Sequence, residues 1–390
     1  MEWEYKPLDE LGNISRGKSK HRPRNDELLF GGKYPFIQTG DVKAADLYIT
    51  KYNDTYNEYG LAQSKLWPAG TLCITIAANI ADTAILGIDA CFPDSIMGFI
   101  PYKGVANVKF VKYCFDILQQ KCKNISQGTT QDNLSWKKLS SIKFPKPSIE
   151  VQNKIAHVLS QYDNLIETNK KRIKILEQMA ENLYKEWFVR FRFPGHEKAE
   201  FVDGVPKGWE FKRLSDIADI VMGQSPSSCY YNNNMRGLPF HQGVGSYGNR
   251  YLQDDVYSTE GKRIAEANSI IFSVRAPVGR LNITLNKIIL GRGVAGINEK
   301  KGRNIFLYYL LNDKFAHEDL IGSGTIFSSV TKDELYKQKL LVPKDDICDK
   351  FDIISGVIEK EIRNIYKQNQ NLIKQRDYLL PRLMSGKIKV

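Results

Sequence analysis

The stretch KIAHVLSQYDNLIETNKKRIKILEQMAENLYKEW, residues 154–187, decides how this chain is built. Its seam positions are Ile155, Leu159, Tyr162, Ile166, Asn169, Ile173, Leu176, Ala180, Leu183 and Trp187. Spacings of four and three alternate throughout, which is the pattern of a helix packed lengthwise on another helix. No proline or glycine interrupts the run.

A seam needs a partner, and the chain supplies one. Moving the first nine of these positions on by 196 gives Phe351, Ser355, Ile358, Ile362, Ile365, Asn369, Leu372, Arg376 and Leu379, the same seam with Ser355 and Arg376 as flaws. The bland alternative is two amphipathic helices packed separately on their own domains, but such helices usually show a broader apolar face. If the two pair over their full length, connectivity makes them antiparallel. At ~1.5 Å rise per residue, about 33 residues span on the order of 50 Å. The prediction is a rod with a globular domain at each end and both chain termini near the first domain. Facing positions of an antiparallel pair have a constant sum. If Asn169 faces Asn369, Ile173 meets Ile365, Ile166 meets Leu372, Leu176 meets Ile362, Ala180 meets Ile358 and Tyr162 meets Arg376. A buried asparagine pair sacrifices some stability but sets register, because slipping would leave each amide against hydrocarbon.

Outward from the helices, the rest of the chain is also written twice. Trp3-Glu4-Tyr5-Lys6 returns as Trp209-Glu210-Phe211-Lys212, and Leu8, Ile14, Gly17 and Ser19 return as Leu214, Ile220, Gly223 and Ser225. Pro35-Phe36-x-Gln38 returns as Pro239-Phe240-x-Gln242, and Gly128-Thr129 as Gly324-Thr325. Each copy opens with short apolar runs such as TLCITIA, SIIFSV and KLLVP, broken by Gly, Pro, Asn and Asp, which suggest strands. VKYCFDILQQ and IFLYYLL suggest helix. Phe191–Gly208, rich in proline and glycine, reads as a linker. The predicted fold class is α+β, with two mixed α/β domains separated by a pair of long antiparallel coiled-coil helices in a pseudo-two-fold internal repeat. The expected boundaries are 1–147, 148–190, 191–342 and 343–390.

Composition agrees with this size and suggests a partner. Of 390 residues, 42% are hydrophobic and 11% aromatic, enough for two ordinary cores. The net charge of +12 suggests a polyanion such as nucleic acid, against the alternative that it only aids solubility. Six cysteines form no CxxC pair and only five histidines accompany them, so reduced thiols in a cytoplasm fit better than a zinc or disulfide framework. The opening residues MEWEYKPLDE show no apolar signal region, and Thr71–Phe92 reads as strand–turn–strand rather than a membrane span.

The duplicated unit resembles the target-recognition domain plus conserved helix of type I restriction-modification specificity subunits. The resemblance rests on GVPKGWEFKRLSDIADI (204–220) and EWEYKPLDELGNI near the N-terminus, which are similar to the starts of recognition domains. KFPKPSIEVQNKIAHVLSQYDNLIE and LLVPKDDICDKFDIISGVIEKEI are similar to the passages into the conserved helices. It covers nearly the whole chain, is strong at these junctions and weak within the recognition domains. The second passage departs from the first, with Cys348 and Asp349 where Gln152 and Asn153 stand. The resemblance implies a subunit that performs no covalent chemistry and binds a split double-stranded DNA target, one half per domain. It implies recruitment of two adenine methyltransferase subunits and, where the complex cleaves, two motor-nuclease subunits. S-adenosylmethionine, ATP and magnesium would belong to those partners, with none in this chain. The alternatives are the separate recognition subunit of a combined cleavage–methylation enzyme, and a protein scaffold whose basic charge is incidental.

The residues themselves carry little chemistry. There is no Pro-Pro pair of the kind amino-methyltransferases use, and Gly322-Ser323-Gly324-Thr325 lacks the lysine and spacing of a P-loop. Asp345-Asp346 reads as an ordinary helix cap rather than a metal site. No histidine stands near a plausible serine or cysteine nucleophile by sequence pattern.

For DNA contact, the loop Arg16-Gly-Lys18-Ser-Lys20-His21-Arg22-Pro-Arg24 supplies cations for phosphates, with a plain solvated loop as the alternative. Its counterpart holds Gln224 and Ser225 and leads to Asn232, Asn233 and Arg236, residue types that can pair with adenine or guanine edges. Gln38, Thr39 and Gln242 follow matching apolar pairs. Arg275 and Arg280 flank a turn where Asn79 and Asp82 stand in the first copy, and Gln127, Thr129 and Gln131 bracket another turn.

Overall fold

The computed structural model describes residues 3–76, 82–125, 139, 142–320 and 329–390, and the side chains of all of these except 120–125 and 316–320. Asn79, Gln127, Thr129 and Gln131 lie outside the described residues, as does the glycine-rich segment 322–325. The chain divides into two compact units, Met1–Arg172 with Ile365–Val390, and Ile173–Asn364. The boundary cuts both long helices, so each unit takes in a length of each rather than leaving the helices as segments of their own.

In the first unit, Gly12–Arg16, Ile96–Pro101, Leu72–Thr75, Thr83–Leu86 and Tyr48–Ile49 lie side by side in that order in one sheet. A second sheet runs Asp54–Tyr56, Phe30–Phe36, Ala90–Cys91, Leu66–Trp67. The unbroken apolar run at 72–75 follows from burial on both faces of the sheet. Leu72 and Ile74 face a core shared with Phe110, Phe115, Leu159, Leu380 and Leu383, so the helix Val108–Ile125 and both long helices cover that side. Cys73 faces the other way, into a cluster with Trp67, Ala84, Phe92 and Ile96.

The second unit repeats the strand order. Ala218–Met222, Val294–Glu299, Ile270–Ser273 and Leu281–Ile283 form its main sheet. The other sheet runs Tyr231–Asn232, Tyr257–Ser258, Leu238–His241, Ile288–Leu290, Ile264–Ala265. The short ladder that closes each unit also matches: Glu4–Pro7 with Lys143–Lys146, and Glu210–Arg213 with Lys339–Val342.

The predicted linker is ordered. Phe201–Val202 and Val205–Pro206 pair as a hairpin, and Phe193 packs on Trp209 with ring centroids 5.3 Å apart. Phe193 is buried, which a reading based on proline and glycine alone overlooks.

The long helices are Ile149–Tyr184, followed by a π-turn at Lys185–Val189, and Asp345–Met384. The Ser148 hydroxyl accepts from the Val151 N–H at 3.4 Å, satisfying a free donor at the start of the first. Within the first unit, Asn169 Nδ2 donates to Asn369 Oδ1 at 3.0 Å, and Asn369 Nδ2 to the Ile166 carbonyl at 3.3 Å, so these asparagines face each other. At the layer where Tyr162 is expected to meet Arg376, Arg376 Nη1 binds Asp163 Oδ1 at 2.6 Å. A guanidinium beside a buried carboxylate gains more than one beside a ring. Further on, Lys154 Nζ reaches the Val390 carbonyl at 3.5 Å. The order of these pairs is antiparallel, and the C-terminal residues Leu380, Leu383 and Met384 pack in the core beside the first unit's sheet.

Each unit ties a shorter helix, Val108–Ile125 in the first and Asn304–Leu320 in the second, to a long helix through a tyrosine and an acid. Tyr113 donates to Asp163 at 2.5 Å, and Tyr309 to Glu359 at 3.1 Å. Both members of the second pair stand 196 residues after the first. The cation differs: Arg376 serves Asp163, whereas buried Arg250 bonds Glu359 through two of its nitrogens and lies 3.7 Å from Glu177. Asp345, expected to act as a cap, is in the first turn of its helix, but its carboxylate is bound by Lys301 at 2.6 Å and Arg303 at 2.8 Å. Those bonds, Lys301 first, lower its pKa to about 2.

Candidate nucleic-acid interface

The register of the second unit gathers polar residues at one end of its sheets. Ala218–Met222 and Ile270–Ser273 run toward that end, and Leu281–Ile283 and Val294–Glu299 start from it. Leu238–His241 and Ile288–Leu290 are parallel, so both deliver the chain there too. The residues just past these ends are Gln224, Ser225, Gln242, Arg275, Arg280 and Arg292. Backbone bonds lock them together: Gln224 N–H to Leu290 O at 2.8 Å, Gly293 N–H to Gln242 O at 2.9 Å, and Val274 N–H to Gly293 O at 3.0 Å. Gln224, Ser225, Gln242, Arg275 and Arg280 were readable from sequence; the grouping was not.

The first unit presents the same end. Gly12–Arg16 delivers the basic loop to it, and Phe30–Phe36 delivers Gln38 and Thr39. Gly17 N–H bonds Ile96 O at 2.8 Å and Lys18 N–H bonds Phe92 O at 3.0 Å, so the turn Pro93–Ser95 sits beside the loop. Asp94 of that turn holds Arg24 at 2.7 Å and lies 3.9 Å from Arg22. Arg22 also donates to the Ser19 carbonyl at 2.7 Å. Arg24, Gln38 and Thr39 line a cavity of 190 Å³ with Asn25, Ser95, Phe30 and Phe36. Gln38 donates to Asp54 at 2.6 Å. Lys18 and Lys20 are exposed on the same loop.

The loop at 232–236 is a different matter. Asn232 Oδ1 accepts from the N–H groups of Asn234 and Arg236 at 3.1 and 3.0 Å, and its Nδ2 donates to the Arg236 carbonyl. Its amide shapes its own turn, an ordinary use of asparagine. Asn233 and Arg236 are exposed. Asp94 and Arg292 escaped the sequence reading; an arginine between two glycines after an apolar strand was the available signal for the second.

One histidine meets a serine in a way that no sequence pattern announced. His241 Nδ1 lies 2.8 Å from Ser246 Oγ, and its Nε2 lies 3.1 Å from Asp254 Oδ1. The His241 side chain is 0% exposed. Ser246 Oγ is also 3.2 Å from the Gly243 carbonyl, and Asn286 holds the other oxygen of Asp254 at 2.9 Å. The trio closes the turn after Gln242 and has no open face for a substrate at the imidazole. Burial acts to raise the Asp254 pKa, and the bonds from His241 and Asn286 outweigh it, leaving the pKa below its ordinary value.

Comparison with known proteins gives this architecture a family. The type I restriction modification DNA specificity domain matches residues 1–178 and 206–375. The type I restriction enzyme MjaIX specificity subunit of Methanocaldococcus jannaschii is 28% identical, covering 100% of this chain and 94% of its own. The HindI specificity subunit of Haemophilus influenzae is 25% identical over 97% of this chain and 98% of its own. The fold is shared with the type I restriction-modification S subunit of M. genitalium, at a TM-score of 0.60 and 16% identity over 98% of this chain and 96% of that one. The chain belongs to the specificity subunits of type I restriction-modification systems, the non-catalytic subunits that recognise DNA sequence. Among the described residues, no helix is long and apolar enough to cross a membrane.

Proposed function

We propose that this subunit reads a bipartite double-stranded DNA target, one half with each unit, and carries two adenine methyltransferase subunits to it. The observation that carries this reading is the matching end of the two sheet systems. In each unit the same strand termini deliver glutamine, arginine and hydroxyl side chains to one place. Those residue types pair with base edges and phosphates. The pairing of Asn169 with Asn369 supports a continuous antiparallel coiled coil and a pseudo-two-fold repeat, which would set the distance between the two readers. B-DNA repeats every ~34 Å, so that distance would have to match groove spacings.

Exposed apolar residues support a protein partner. Ile353 and Val357 are 71% and 70% exposed at neighbouring positions of the C-terminal helix, and Ile175 and Met179 are 61% and 52% exposed on the central one. Such surface seldom stays bare. S-adenosylmethionine, ATP and magnesium are assigned to partner subunits, with motor-nuclease subunits as further partners where cleavage occurs.

The test is methylation of a random-sequence DNA library by the purified chain, alone and with its methyltransferase partner. Methyladenine is expected at a split site only when both are present. Sustained, site-specific methylation by the rigorously purified chain alone would sink the reading.

A further inference from the structure

We propose that Arg292 is a specificity-determining residue, reading the major-groove edge of a guanine in the half-site of the second unit. This rests on the reading that the shared end of the strands meets DNA. Arg292 follows Ile288–Leu290 and precedes Val294–Glu299, so it sits where two strands of different sheets meet at that end.

Its backbone is held closely. The Arg292 N–H donates to Ser225 Oγ at 3.1 Å. A Cβ on Gly291 would stand 2.7 Å from Gln242 Cα, and one on Gly293 would stand 2.3 Å from the Gln242 carbonyl. Only glycine permits this approach, so the arginine is fixed against Gln242 and Ser225. Its side chain is exposed and has no ion-pair or hydrogen-bond partner among the described residues. The corresponding place in the first unit holds the opposite charge. Gly17 bonds Ile96 and Lys18 bonds Phe92 as Gly223 bonds Val294 and Gln224 bonds Leu290, which aligns Asp94 with Arg292. There Asp94 gathers Arg24 and Arg22 from the neighbouring loop. In the second unit that loop is uncharged, and the arginine stands on the turn itself. Each unit therefore offers guanidinium at one place by a different route. An unpaired guanidinium on a backbone held this closely matches the bidentate acceptors of guanine N7 and O6.

The experiment uses the full chain in complex with its methyltransferase partner. Binding to a library randomised across both half-sites is sequenced for wild type, Arg292→Ala and Arg292→Lys. The expected result for both variants is loss of a guanine preference of at least about fivefold at one position of the second half. The preferences of the first half should stay intact, which also shows that the variant folds. A uniform loss at every sequence with Arg292→Ala, restored by Arg292→Lys, would mark a phosphate contact and overturn the proposal. Unchanged selectivity would overturn it as well. If wild type selects no sequence at all, the DNA-reading function falls and the inference with it.

Discussion

Asp94 and Arg292 show how two side chains at one backbone position can serve the same surface. Asp94 makes no contact with a base in this view; it aims arginines that would. Replacing it with asparagine should change folding stability by less than ~1 kcal/mol, since exposed ion pairs contribute little. Affinity for the first half-site should fall by about fivefold, equivalent to ~1 kcal/mol, while the second half-site is read as before. Anisotropy titrations on duplexes altered in one half at a time would measure this. Asp345 gives a pH dependence. Its folded-state value of about 2 lies below the ordinary 3.8, so its contribution is present above that ordinary value. It is lost as pH falls through that window, because the unfolded chain takes up the proton first. Asp345→Asn should flatten the acid side of the stability–pH curve between about pH 4 and 2, as followed by thermal melts. A variant curve as steep as wild type there would exclude the role.

The long helices depend on polar pairs at the scale of the element. Asn169 is 1% exposed and Asn369 6%. Changing Asn169 alone to leucine leaves the Asn369 carbonyl oxygen without its donor, at a cost of about 1–3 kcal/mol. Changing both to leucine should recover most of that loss and loosen register, because no slipped state would then be penalised. Chemical denaturation and a cysteine crosslink scan distinguish the two effects. Arg250 faces a harsher limit. Its side chain is 6% exposed and that of Glu359 7%, so Arg250→Met strands a buried carboxylate. A loss of about 3–5 kcal/mol is expected, and adding Glu359→Gln should return part of it. Additive losses in the double variant would show that the two residues do not act as a pair.

The two units together carry the largest functional consequence. If each reads one half of the target, exchanging residues 1–146 for the matching segment of a relative should alter one half of the methylated sequence and leave the other unchanged. Methylome sequencing of cells carrying the exchanged gene reads both halves at once. A change in both halves, or in neither, would contradict independent readers. The basic charge of +12 should also make binding steeply salt-dependent.

What the sequence determined by itself was whatever repeats at short range. A period near 3.5 residues announced the long helices and put Asn169 and Asn369 in their seams, since helical spacing is a local property. The apolar runs at 72–75 and 270–273 announced strands, and the 196-residue echo announced two similar units. Gln38, Thr39, Gln224 and Gln242 were visible because they follow matched apolar pairs. What only the tertiary structure decided depends on strand order. Gly291-Arg292-Gly293 lies about 50 residues beyond Gln242, and nothing local says that parallel pairing of 238–241 with 288–290 brings them together. The same holds for Asp94 beside Arg24 and for Arg250 beneath Glu359, where long-range burial chose the partner. Asp345 and Asp163 likewise take partners far along the chain, Arg303 and Arg376, whose charge-assisted bonds only folding could supply.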